Sequence, residues 1–100
     1  MSWVWPVGPV EQEKRRLETL RYLARAPGYE AGPYLLMHHC REWGVPTSTD
    51  QIEQALTWLE AAALVALREA GGGVIARITP RGREVAEGHV RVPGVLPPDP

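Results

Sequence analysis

His38, His39 and Cys40 stand in a row, with Glu42 four positions beyond His38, and they are the residues whose types most invite metal chemistry. Zinc asks for four ligands in a tetrahedron. On a helix, neighbouring side chains point about 100° apart, so three consecutive residues do not converge on one ion. His38 and Glu42 share a face, but two ligands make only half a site. The pattern predicts no metal and no cofactor, with Cys40 as a small core residue and a histidine half-exposed on either side. Gly71-Gly72-Gly73 raises the idea of a phosphate loop, yet no Lys-Ser/Thr follows and a strand pattern comes next instead of a helix. No serine or cysteine has a base at workable spacing, and the carboxylates show only helix-surface spacing. The sequence reads as non-enzymatic.

The remaining chemistry is charge, and its placement depends on the elements that carry it. The chain has 100 residues, 44% hydrophobic and 23% charged, which suits one globular domain. Eleven Lys+Arg oppose twelve Asp+Glu for a net charge of −1, so neither a basic wrap-around nucleic-acid binder nor an acidic tail protein is indicated. One cysteine excludes an internal disulfide framework and fits a reducing, cytoplasmic setting. The apolar start, Met1 to Val10, has no basic lead-in and is too short for a membrane span or signal peptide.

Proline and glycine divide the chain. Residues 1–10 read as an irregular arm carrying Trp3 and Trp5, and residues 89–100 as an extended, proline-rich tail. Between them, residues 11–88 form the domain. From Glu11 to Ala26, Leu17, Leu20 and Ala24 describe one apolar stripe, with Arg15, Glu18 and Tyr22 on the opposite face. Pro33 to Trp43 predicts a second helix, with Leu36, Cys40 and Trp43 along one side. Ser48 and Gln51 form a capping box for a third, in which Ile52, Ala55, Leu56, Leu59 and Ala63 recur at helical spacing. Trp43 and Trp58 are expected in the core or at its edge. Leu64–Glu69 and Val74–Thr79 alternate as strands around the three glycines, a hairpin. Pro80 to Glu87 closes the domain as a short helix. Three helices, a two-stranded β-hairpin wing and a short C-terminal helix are the element order of an α+β winged helix-turn-helix.

The stretch from about Leu17 to Val95 also resembles a family of small proteins of Mu-like phages and prophages, often labelled ArsR-like regulators. The matching residues are A-P-G-Y at Ala26 to Tyr29, L-L at Leu35 and Leu36, S-x-D-x-I from Ser48 to Ile52, and L-x-W-L from Leu56 to Leu59. They continue with L-V at Leu64 and Val65, I-T-x-R-G from Ile78 to Gly82, V-A-x-G from Val85 to Gly88, and V-P-G-V from Val92 to Val95. Order and spacing carry the likeness. It implies a winged-helix fold, a cytoplasmic protein in a bacterial host, and a role in transcription regulation.

In winged-helix DNA binders the third helix enters the major groove and the wing touches phosphate or minor groove. Here the polar residues of that segment, Thr47, Thr49, Gln51, Gln54 and Thr57, are the candidate contacts on the helix side, and Arg68, Arg77 and Arg81 on the wing side. Arg41 and Arg83 are further cations. Members of the resembled family often carry a basic residue at the position of Thr49. No Lys or Arg occurs from Gly44 to Leu67, whereas Asp50, Glu53 and Glu60 sum to −3. Phosphate contact must therefore come from elsewhere. Asp50 also has a structural reading, since a carboxylate suits the first turn of a helix.

Duplex DNA is thus the leading partner, and a phage or host protein held by the acidic third helix is the alternative. Trp3 and Trp5 are poor candidates for exposure to water and are expected at a partner or dimer contact, or docked on their own domain. A homodimer would present two third helices to successive grooves.

Overall fold

The computed structural model describes residues 7–99. Its elements are α1 (Val7–Arg25), a 3-10 turn (Pro27–Tyr29), β1 (Glu30–Ala31), α2 (Pro33–Glu42), α3 (Thr49–Ala61), β2 (Val65–Ala70), β3 (Gly73–Ile78) and α4 (Pro80–Ala86). Four helices surround one small antiparallel sheet of order β1-β3-β2 among these residues. The protein is α+β.

α1 begins four residues before the sequence pattern suggests. Pro9 falls in its first turn, where a missing N–H costs no helical hydrogen bond, so it does not delay the start. The helix is also buried on more than its leucine stripe. Leu17, Leu20 and Leu23 are in the core, and so are Arg15, Glu18 and Thr19. Arg15 and Glu18 do lie off the leucine stripe, but α2 packs along that side, so both are buried and the two charges are paired within the protein.

α2 starts at Pro33, suited to the first helical position, and ends with Gly44 at φ +82. Leu36 and Cys40 are buried as their spacing predicts, but Trp43 is the C-cap and is 56% exposed. It sits past the last helical residue, so the stripe of Leu36 and Cys40 does not continue to it. α3 carries both halves of the capping box: Ser48 Oγ accepts from the Gln51 amide at 3.1 Å, and Gln51 Oε1 accepts from the Ser48 amide at 2.9 Å. Ile52, Ala55, Leu56 and Leu59 are buried. Ala63, expected on that stripe, lies beyond the helix at φ +62 and is exposed.

The hairpin turns on Gly71 (φ +58) and Gly72 (φ +82), two positive-φ positions that demand glycine in a two-residue loop. Its register pairs Val65 with Ile78, Leu67 with Ala76 and Arg68 with Ile75. Val65, Ala76 and Ile78 face the helices. β1 was not legible in the sequence. It adds a third strand, pairing Glu30 with Arg77 and Ala31 with Ala76. On the other edge, the Leu67 amide donates to Glu60 Oε2 at 3.3 Å, which blunts an otherwise open strand.

The tail is not a free appendage. Val95 is buried, and Val90, Val92 and Leu96 pack on the core. The Leu96 amide donates to the Glu13 carbonyl at 3.2 Å. Arg16 donates to the Gly94 carbonyl at 2.8 Å and lies 4.1 Å from the centre of the Trp58 ring. Partial burial there lowers the Arg16 pKa. No helix among the described residues is long and apolar enough to cross a membrane.

Candidate nucleic-acid interface

α3 buries one stripe and turns Asp50, Glu53, Gln54, Thr57 and Ala61 outward around a shallow depression of about 490 Å³. Thr57 donates to the Glu53 carbonyl at 3.0 Å, the usual back-bond of an exposed helical threonine, which leaves its oxygen lone pairs outward. Gln54 is exposed and makes no side-chain hydrogen bond among the described residues. Thr49, also exposed, donates weakly to Met37 Sδ at 3.9 Å. This face holds no cation.

Two of the expected contact residues are already engaged by the fold, Thr47 in its interior and Gln51 at the exposed helix cap. Thr47 is 4% exposed: its hydroxyl accepts from Arg15 Nε at 3.0 Å and donates to the Val45 carbonyl at 2.8 Å. Its role is to fix the α2–α3 turn, and its hydroxyl does not face outward. Gln51 spends its amide oxygen on the Ser48 amide. Arg41, the other cation near the turn, donates to the Thr47 carbonyl at 2.9 Å.

On the sheet, strand alternation puts Glu30, Ala66, Arg68, Ile75 and Arg77 on the face away from the helices. Arg68 pairs with Glu30 at 3.0 Å, both partly exposed, a pair worth at most about 1 kcal/mol. Arg77 and Arg81 are exposed and carry no ion pair among the described residues. Arg83 instead lies 4.5 Å over the Tyr29 ring. Sequence reasoning missed Glu30 as a counter-charge to the hairpin arginines, because a two-residue strand between Gly28 and Gly32 shows no alternation.

The histidine–cysteine run separates as helical geometry demands. Cys40 is buried, His39 Nε2 lies 3.2 Å from Glu18 Oε1, and His38 packs edge-on against Tyr34. No three metal-ligating side chains come together among the described residues. Trp3 and Trp5 lie outside the described residues.

These features define a small α+β protein with an anionic helix face and a sheet face bearing arginines. No protein-family model matches the chain. Over 94 residues it is 33% identical to the uncharacterized protein gp26 of Escherichia phage Mu, an alignment covering 94% of this chain and 97% of the phage protein. The chain belongs to the family of that Mu protein.

Proposed function

We propose that the chain is a winged-helix DNA-binding protein of a Mu-like phage or prophage, acting in transcription regulation. The observation that carries this reading is topological: helix, short strand, helix, helix and hairpin follow in order, and β1 pairs with β3 to give the sheet order β1-β3-β2. In that reading α2 and α3 are the helix-turn-helix, joined at Gly44 to Ser48, and the β2–β3 hairpin is the wing. The resemblance to ArsR-like regulators supports it by analogy of fold.

The division of labour follows from charge. Gln54 and Thr57 are the side chains on α3 suited to base edges, with Thr49 at its start, and Asp50 or Glu53 can accept from cytosine. Phosphate contacts fall to Arg77 and Arg81, joined by Arg68 when it exchanges Glu30 for a phosphate. Three such contacts give a slope of roughly −2.7 in log affinity against log salt, or about a 40-fold loss between ~50 and ~200 mM. Fluorescence anisotropy of a labelled duplex at those two salt concentrations tests this directly. Steep weakening, reduced when Arg77 and Arg81 are replaced by alanine, supports the proposal. No binding at the lower salt rejects it.

The anionic outer face of α3 favours a second reading, a winged helix that binds a phage or host protein with a basic surface. Asp50, Glu53 and Glu60 would then be contact residues, and duplex DNA would be repelled.

A further inference from the structure

The last turns of α1 and the end of α2 enclose a cleft of about 330 Å³. Its walls are aromatic. The His39 ring lies 5.1 Å from Tyr22 and 5.9 Å from Trp43, centre to centre. Arg21 and Arg25 stand at the rim with Pro27, and Glu18, almost fully buried, closes the floor while bonded to both His39 and Arg21. Trp43, at 56% exposure, is left half in water at the mouth. Aromatic walls accept another ring edge-on, and guanidinium groups are drawn to the face of an indole above other rings.

Trp3 and Trp5 supply two indoles just ahead of α1. Their own domain cannot bring them both to this cleft. Tyr22 is fifteen residues along α1 from Val7, which at 1.5 Å per residue is about 22 Å away. Trp5 is two residues before Val7 and Trp3 four, so fully extended backbone carries them about 7 and about 14 Å. Even doubling back along the helix, and with about 7 Å more for the indole itself, Trp5 falls well short of Tyr22 and only Trp3 comes near it. A second copy has no such limit.

We propose that two copies of this chain form a closed dimer by exchanging N-terminal segments, the indoles of Trp3 and Trp5 from each copy filling the Tyr22–His39–Trp43 cleft of the other. Each copy gives one segment and receives one, so the contact is twofold and saturates at two chains. The dimer does not depend on whether α3 binds DNA.

Sedimentation equilibrium of the full chain tests it. The expected mass is twice the 11.1 kDa of one chain. Replacing Trp3 and Trp5 together by alanine, or Trp43→Ala alone, is expected to raise the dissociation constant at least ~100-fold, with far-UV circular dichroism unchanged. Mixing these two variants restores one segment–cleft contact and therefore gives a heterodimer tighter than either homodimer. A chain that stays monomeric at ~100 μM overturns the proposal. So does a dimer whose affinity is unchanged by the Trp3 and Trp5 replacements, or a mixture that associates no better than its components.

Discussion

Arg15 on α1 and Thr47 in the α2–α3 turn are 32 positions apart in sequence and joined by a buried hydrogen bond of 3.0 Å. The same guanidinium donates to the Pro46 carbonyl at 2.7 Å and to Glu11 at 2.8 Å. One arginine thus holds the turn that sets α3 at its angle to α1. Thr47→Val keeps the shape and removes the hydroxyl, leaving Arg15 Nε and the Val45 carbonyl short of a partner. A loss of about 1–3 kcal/mol in urea unfolding is expected. Duplex affinity of the folded variant should not change, because the hydroxyl faces inward. A Thr47 variant with normal stability but weakened DNA binding would return the residue to the interface.

Two glycines are held by close approach. A Cβ on Gly82 would press into the backbone carbonyl of Leu64, which already accepts from the Thr79 amide at 3.0 Å. A Cβ on Gly94 would press into the Trp58 ring, and Gly94 also sits at φ +98. Both alanine variants are expected to destabilise by about 1–3 kcal/mol, as overpacking and a forbidden φ each cost that much. Gly82→Ala should be the worse. Its obstacle is backbone tied into the α3–β2 junction, whereas the half-buried Trp58 ring can shift. Urea unfolding followed by circular dichroism ranks them.

What the sequence disclosed and what it hid follow from how local each cause is. The capping box at Ser48, the glycine tip at Gly71 and Gly72, and the stripes of α1 and α3 are set by neighbours within a few residues. They read directly. β1 did not, since two residues cannot show a period of two, and with it went the Glu30–Arg68 pair that changes the charge of the sheet's outer face. The burial of Arg15 and Glu18 was not legible, because their partners, Thr47 and His39, lie far along the chain. Trp43 looked buried because helical spacing was extended one residue past the helix. Of the expected contact residues, Gln54, Thr57, Arg77 and Arg81 are exposed. Thr47 and Gln51 are committed to the turn and the cap.

Cys40 is completely buried, and burial raises its thiol pKa above the ordinary 9.0. The thiol lies 3.8 Å from both Thr19 Oγ1 and the Arg15 carbonyl. Alkylating or disulfide reagents should therefore react only when the chain opens, at a rate that follows unfolding in urea. The sign of the pH effect is fixed as well. The unfolded thiol loses its proton first, so the contribution of Cys40 is intact below about pH 9 and declines as pH rises through its higher folded value. Cys40→Ala should flatten that alkaline decline while costing some stability at neutral pH through the cavity it leaves.

Glu53 separates the two functional readings most cleanly, because it is exposed on α3 and its carboxylate makes no hydrogen bond or ion pair among the described residues. If α3 lies against a duplex, Glu53 faces phosphate or base edges and its charge opposes binding. Glu53→Lys then removes a repulsion and adds a contact. Affinity at low salt should rise roughly tenfold and the salt slope should steepen by about one. Stability should change by less than about 0.5 kcal/mol, as for most surface substitutions. If α3 instead receives a basic protein surface, the same substitution puts like charges together and partner binding is lost, while the duplex titration stays flat. An unchanged affinity and slope for DNA that does bind would place the contact on the wing arginines alone, with α3 turned away from the duplex.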